Sequence, residues 1–257
     1  MSKAHAKFAP SKAERWVACP GSVKLSEGYP DKQTPAALSG SKTHSCLERI
    51  LKNGLGKIEA TKRFLLKSYD PDTVKRAVDA ALHIFMRVGK HEVLESESTV
   101  KMDFIHPDFW GTLDAAVIEH FGMLQIIDFK DGKGVVEVEE NPQLISYAIG
   151  KAHEHHYNFD RIRLSIIQPN AYHRDGTIRN WDCPPSTLHE WTKRFREAVK
   201  EALGKNARLR AGVHCYYCPA KNECPAFTPE AIAPIKAQFM RPRSEEERQA
   251  RLKEWFG

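Results

Sequence analysis

No stretch of this 257-residue chain supplies the roughly 18 consecutive apolar residues of a membrane-crossing helix. The opening residues, Met1-Ser2-Lys3-Ala4-His5-Ala6-Lys7, lack the apolar centre of a secretory signal. A cytoplasmic protein with no membrane partner is the expectation. No sign of charge dominates: 39 Lys and Arg stand against 33 Asp and Glu, giving +6. That balance is compatible with nucleic acid without demanding it. Cysteine is sparse, with six in the chain, and in a cytosolic protein these are better read as thiols or metal ligands than as disulfides. No periodic seam marks a subunit interface, so the oligomeric state stays open.

What is present is ordinary globular material, 41% hydrophobic and 28% charged. The length suits one substantial core, or a core with a small appendage. Ser11 and Glu14 form a capping-box pattern ahead of a short helix ending near Cys19-Pro20. A helix is expected over residues 36–51, with His44 and Glu48 on one face. Asp70-Pro71 starts another, whose apolar stripe reads Val74, Val78, Leu82, Phe85 and Met86. A strand over 92–100 alternates Val93, Glu95, Glu97 and Thr99. Strands follow over 111–118 and 123–129, joined by a tight turn at 119–122. The glycines of 131–134 suggest a hairpin turn into a strand at 135–138. Asn141-Pro142 caps a helix that places Gln143, Tyr147 and Lys151 on one face. Strands over 161–168 and 177–181, a helix over 186–208 and a charged amphipathic tail over 244–255 complete the pattern.

Residues 111–147 are the informative stretch. Asp114 lies in the first apolar strand, and Asp128 and Lys130 close the second. With a period of two, Asp128 and Lys130 point the same way, opposite Ile127 and Phe129. A carboxylate at the end of an apolar strand is costly unless charge sits beside it. Two carboxylates and a lysine suggest a divalent cation and a phosphate.

The pattern Gly111-x-x-Asp114, Asp128-Phe129-Lys130 and Gln143-x-x-x-Tyr147 resembles the PD-(D/E)XK nuclease superfamily in its RecB-like branch. That branch includes CRISPR-associated RecB-type exonucleases and phage recombination exonucleases. Ile127 stands where the superfamily often has proline. With Ser11-x-x-x-x-Arg-Trp-x-x-Cys-Pro and Glu140-Asn-Pro-Gln-Leu-x-x-Tyr-Ala, the likeness to an uncharacterised phage branch covers about residues 8–227. It implies Asp114, Asp128 and Lys130 as catalytic residues, Gln143 and Tyr147 lining the DNA side, and His44, Asp114 and Asp128 as ligands of Mg²⁺ or Mn²⁺. By spacing alone His44 reads as an ordinary hydrogen-bonded helix histidine; the order Cys19-Pro20 then Gly40-x-x-x-His44 resembles that of RecB-like nucleases, and the resemblance implies a metal ligand. Glu97 matches a glutamate near the active face in such nucleases, although a solvated edge residue fits equally well. Lys133 is a candidate phosphate contact, but its turn alone accounts for the glycines.

Cys215-x2-Cys218-x5-Cys224 is a metal-binding spacing by itself and needs a fourth ligand. Cys19, His214 and Cys183 each can supply it. The resemblance favours Cys19, whose position implies a 4Fe-4S cluster joining the two ends of the core; His214 implies a structural Zn²⁺ site. Cys46 and Cys183 otherwise read as buried thiols.

The expected fold is α/β: a restriction-endonuclease-like core, with a central mixed β-sheet flanked by helices and a small cysteine-rich metal-cluster appendage joining N- and C-terminal segments. The expected divisions are 1–35, a segment supplying a cluster cysteine; 36–210, the nuclease core; 211–228, the cysteine-rich segment; and 229–257, a tail. The expected activity is metal-dependent DNA exonuclease, in phage recombination or end processing, in a host cytoplasm and beside a single-strand annealing protein. A site-specific endonuclease is disfavoured because no additional domain remains to read base edges. The alternative is a non-catalytic DNA-binding or assembly module with structural zinc.

Overall fold

The structure, a computed structural model, describes residues 6–29, 35–89, 92–119 and 122–233. The expected tail helix over 244–255 lies outside the described residues. The elements in chain order are α1 (Ala13–Ala18), α2 (Gly21–Leu25), α3 (Pro35–Asn53), α4 (Ile58–Leu65), α5 (Pro71–Phe85), β1 (Glu92–Lys101), β2 (Trp110–Glu119), β3 (Met123–Phe129), α6 (Pro142–Glu154), β4 (Arg161–Ile167), β5 (Ile178–Cys183) and α7 (Pro185–Leu203). The chain divides into two compact units, Met1–Ser11 with Gln33–Lys193 and Lys12–Lys32 with Arg194–Gly257.

The first unit carries one five-stranded sheet in the order β1-β2-β3-β4-β5. Every neighbouring pair is antiparallel except β3 and β4, which run parallel. A parallel pair needs a crossover, and α6 supplies it. All seven residues of β3 are buried, as a central strand covered on both faces requires. Ile127 and Phe129 join Leu47, Ile50, Val74, Ala77, Ala81 and Ile84 in a core built under α3, α4 and α5. Asp128, between them in sequence, points the other way, toward α6. There Gly150 lets the helix approach β1, since a Cβ would overlap the Val100 and Met102 side chains.

Capping residues fix where the helices over the site begin. Asp70 accepts from the Thr73 N–H at 2.9 Å, with Pro71 in the first turn of α5. Asn141 accepts from the N–H groups of Gln143 and Leu144 at 3.0 and 3.2 Å, with Pro142 in the first turn of α6.

Several local expectations are corrected. Ser11 caps nothing: Pro10–Lys12 already form a 3₁₀ turn, and the N-cap of α1 is Lys12, which makes no side-chain cap. The 131–138 hairpin does not form. The Gln168 amide instead donates to the Gly132 and Gly134 carbonyls at 2.9 and 2.7 Å and accepts from the Val136 N–H at 3.1 Å, so side-chain bonds replace the ladder. The buried face of α5 is Val74, Ala77, Val78, Ala81 and Ile84, while Leu82 and Met86 are exposed. Small alanines, invisible to a search for large apolar residues, let α5 lie close to α3. α7 stops at Leu203, and α2 and α4 are additional helices.

In the second unit Trp16 of α1 packs against Phe195, their rings 5.4 Å apart. The Gly21 N–H donates to the Arg208 carbonyl at 3.0 Å, so closely that a Cβ there would strike that carbonyl.

Candidate active site

The ends of β2 and β3, the start of α6 and the middle of α3 converge on one cavity of about 470 Å³. Asp114, Asp128, Lys130, Gln143, Tyr147 and His44 all line it, together with Glu97 and Glu48. Lys133 is exposed and does not line it.

Asp114 is fixed on both oxygens. Oδ2 accepts the Phe129 N–H at 2.7 Å, and Oδ1 stands 3.1 Å from His44 Nδ1. Asp128 accepts from Gln143 Nε2 at 2.9 Å through Oδ1. Its Oδ2 lies 2.8 Å from Lys130 Nζ but outside hydrogen-bond geometry, and this buried atom has no hydrogen-bond partner among the described residues. The same Lys130 ammonium donates to Gln143 Oε1 at 2.8 Å. Gln143 therefore holds both the acid and the lysine of the Asp-x-Lys pair. Tyr147 donates to the Thr112 carbonyl at 2.8 Å, tying α6 to β2.

The electrostatics follow from gathering like charges in a partly buried cavity. Burial pushes the Asp128 carboxyl above its usual range, with Asp114 adding to the effect and Lys130 and His44 opposing it. Burial alone would depress His44, but the Asp114 carboxylate outweighs it and raises the imidazole to about 9. Glu97 is raised to about 7, first by burial and then by Asp114 and Glu48. Burial, with Asp128 and Asp114, raises the Tyr147 phenol.

Glu97 enters the site through a fault in the β1–β2 ladder. Pairing holds at Ser96–Ala115 and Ser98–Leu113 but lapses between them, where Glu97 faces Asp114 with φ at 50°. The alternation reverses there. Before the break Glu95 reaches Lys151 of α6 at 2.6 Å, and after it Val100 is the residue that faces Gly150 of α6. One carboxylate oxygen each from Glu97 and Asp114 and a ring nitrogen of His44 lie within 4.8 Å of one another, a group suited to a cation. Asp128 lies outside that tight group but lines the same cavity. The resemblance points to Glu97, with a solvated edge residue as the alternative; the structure turns it into the cavity, at the rung where the alternation expected for β1 breaks.

A supporting network surrounds Asp131, next to Lys130. Its buried carboxylate accepts from Arg76 Nε at 2.7 Å, Thr43 Oγ1 at 3.0 Å, Ser39 Oγ at 3.3 Å and Asn170 Nδ2 at 3.0 Å. Thr43 precedes His44, so one side chain sets α3, α5 and the Asp-x-Lys strand against each other.

The second unit brings together the four thiols singled out above. Burial raises the Cys215 thiol against the Gly212 N–H that bonds it, and the charges of Cys19, Cys218 and Cys224 add to the rise. Burial would raise Cys19 too, but a hydrogen bond with His214 and the Arg210 N–H at 3.3 Å hold it below the usual thiol range. Among the described residues no three of these sulfurs lie within 4.8 Å of one another. Cys46 is buried in the α3–α5 core, and Cys183 closes β5 in the first unit.

Fold and site together define an α/β protein with a mixed five-stranded sheet and a candidate cation site at its strand ends. A family model described as "Protein of unknown function (DUF2800)" matches residues 5–254, and the chain belongs to that family. Two crystal structures resemble it. One, named "Putative exonuclease", from Eubacterium rectale, is 10% identical over 77% of this chain and 80% of its own, with a TM-score of 0.45. The other, SSO0001, is 14% identical over 89% and 90%, with a TM-score of 0.40.

Proposed function

We propose that this protein is a metal-dependent DNA exonuclease of the PD-(D/E)XK type, in its RecB-like branch. The observation that carries the reading is the convergence of Asp128 and Lys130 from the end of β3 with Asp114 of β2, Glu97 of β1 and His44 of α3 on one cavity.

The residues fit a divalent cation. Asp128 Oδ2 is a buried acceptor without a hydrogen bond among the described residues, and the His44–Glu97–Asp114 group offers one nitrogen and two oxygens within 4.8 Å. Asp114, Glu97, His44 and Asp128 would hold it. Carboxylates suit Mg²⁺, and the imidazole shifts preference toward Mn²⁺. When bound, such an ion polarises the scissile phosphate and lowers the pKa of water, supplying a nucleophile near neutral pH. Lys130, fixed by Asp128 and Gln143, would orient the attacking water and offset charge developing on the phosphorus oxygens. Gln143 keeps that ammonium aimed, and Tyr147 keeps α6 against β2, so the chain's own contribution is chiefly orientation.

Cys19, Cys215, Cys218 and Cys224 are proposed to hold a 4Fe-4S cluster. That assignment rests on the resemblance, in which one cysteine ahead of the core and three after it hold such a cluster; the spacing Cys215-x2-Cys218-x5-Cys224 by itself requires only a metal. The proposed role, phage recombination beside a single-strand annealing protein, rests on the resemblance over residues 8–227. Incubation of end-labelled linear DNA with the protein and Mg²⁺ or Mn²⁺ tests the reading. Degradation abolished by Asp128→Ala is expected. An inert wild type, or an undiminished Asp128→Ala variant, overturns it, and stoichiometric zinc without hydrolysis would point to the assembly-module alternative.

A further inference from the structure

Beyond the ladder fault, the β1–β2 ribbon presents a second, open cavity of about 460 Å³, lined by Thr99, Lys101, Asp103, Pro107 and Trp110. It adjoins the first through one rung of the ladder: Thr112 lines the acid cavity, and its cross-strand partner Thr99 lines this one. The next rung on the same face pairs Lys101 with Trp110. Acids, threonines and the Lys–Trp rung thus form a continuous track along one side of the ribbon. Thr99, Lys101 and Thr112 are exposed and Trp110 is half-buried, so the track is open to solvent. Lys101 enters no ion pair among the described residues.

A half-buried indole beside an exposed ammonium that enters no ion pair among the described residues matches a nucleotide: an aromatic face for a base and a cation for its phosphate. Asp103 at the rim repels phosphate from its side and can accept from a base N–H, which leaves Lys101 as the phosphate partner. Trp110 lies four residues from Asp114, about 13 Å along the strand. That spans roughly two to four nucleotides, depending on whether the strand is stretched or stacked at about 3.4 Å per residue.

We propose that Trp110 and Lys101 form a nucleotide subsite for single-stranded DNA, Trp110 stacking on an unpaired base and Lys101 meeting the adjoining phosphate. The subsite takes its place relative to the scissile phosphate from the nuclease reading. The substrate strand would cross this face unpaired, since a base within a duplex cannot offer its face to an indole.

Binding separates this proposal from that reading. The full chain carrying Asp128→Asn is titrated with a labelled single-stranded oligonucleotide, and with a series in which one abasic residue is moved along the strand. One abasic position should weaken binding roughly 5- to 100-fold. Trp110→Ala should weaken binding by a similar factor and become insensitive to that position, while Trp110→Phe retains most of the affinity. Lys101→Ala should lower the salt slope by about one phosphate contact. A flat abasic series, or a Trp110→Ala variant binding like its parent, overturns the subsite. If Trp110→Ala fails to fold, the abasic series and Trp110→Phe decide alone. Wild-type cleavage of linear DNA is scored separately: a register-dependent abasic effect without cleavage removes the nuclease reading and keeps the subsite, and cleavage with a flat series does the reverse.

Discussion

Glu97 and Asp114 face each other across β1 and β2 at the rung where pairing lapses, two half-buried carboxylates in one cavity with Glu97 in the left-handed region. Like charges directly opposite destabilise a ribbon, and strain of this kind persists where function requires it. Glu97→Gln should therefore raise unfolding stability by about 0.2–1 kcal/mol while weakening Mn²⁺ binding and DNA cleavage. Denaturant unfolding and calorimetric metal titration check both halves. A variant that loses stability, or binds Mn²⁺ as before, would remove Glu97 from the cation site.

The Gln143 amide holds Asp128 on one side and Lys130 on the other, so the nuclease reading makes it a positioning residue. Gln143→Ala should lower kcat on linear DNA by about 10- to 100-fold, the usual cost of removing an outer-shell partner, with little change in KM. A Gln143→Ala loss confined to KM would place the amide on the substrate instead.

Much of this site is legible in the sequence, for definite reasons. Asp128 and Lys130 share a face because strand side chains alternate, and Gln143 reaches them because Asn141-Pro142 starts α6 at one defined residue. Glu97 is harder to read, because the alternation that identifies a strand is the rule its own backbone breaks. The Asp131 network was not legible at all. Its partners come from α3 (Ser39 and Thr43), α5 (Arg76) and the segment after β4 (Asn170), and a polar residue beside two glycines reads as a turn. The thiols of the second unit are visible by spacing, whereas their separation in space is not.

That network makes Asp131 a structural keystone of the first unit. Its side chain is almost fully buried and paired with Arg76 at 2.7 Å. Asp131→Ala leaves the guanidinium and the Thr43 hydroxyl without their partner, and should cost about 3–5 kcal/mol. Thermal unfolding followed by circular dichroism measures it. A loss below 1 kcal/mol would mean that water replaces the carboxylate.

Arg163 and Asp182 pair across β4 and β5 through two hydrogen bonds, at 2.6 and 2.7 Å. These bonds to Arg163 hold the Asp182 carboxyl below its usual range, against the opposing effect of burial. A depressed folded value stabilises above the unfolded pKa of about 3.9 and is lost as pH falls through the lower folded value. Asp182 is largely exposed, so solvent screening limits the pair to about 0.2–1 kcal/mol. Asp182→Asn should be less stable than wild type at pH 7, and the difference should vanish as the pH falls below the folded carboxyl value. An unchanged gap across that acid range would rule out the ion pair as its source.

The cysteine site makes the sharpest distinction between ligand sets. A four-thiolate cluster requires Cys19 together with Cys215, Cys218 and Cys224, whereas a local zinc site replaces Cys19 with His214. His214 Nε2 donates to the Arg210 carbonyl at 3.0 Å, and the ring is hydrogen-bonded with Cys19. Anaerobically purified protein should be brown and contain iron and labile sulfide. Cys19→Ala should abolish both, whereas His214→Ala, which only removes a hydrogen bond from a thiolate, should keep the iron and shift its reduction potential. Cys46→Ser and Cys183→Ser should leave the metal content unchanged, since Cys46 belongs to the α3–α5 core and Cys183 to β5. Zinc retained in Cys19→Ala and lost in His214→Ala would reverse the assignment, and with it the idea that the thiols hold a multinuclear cluster.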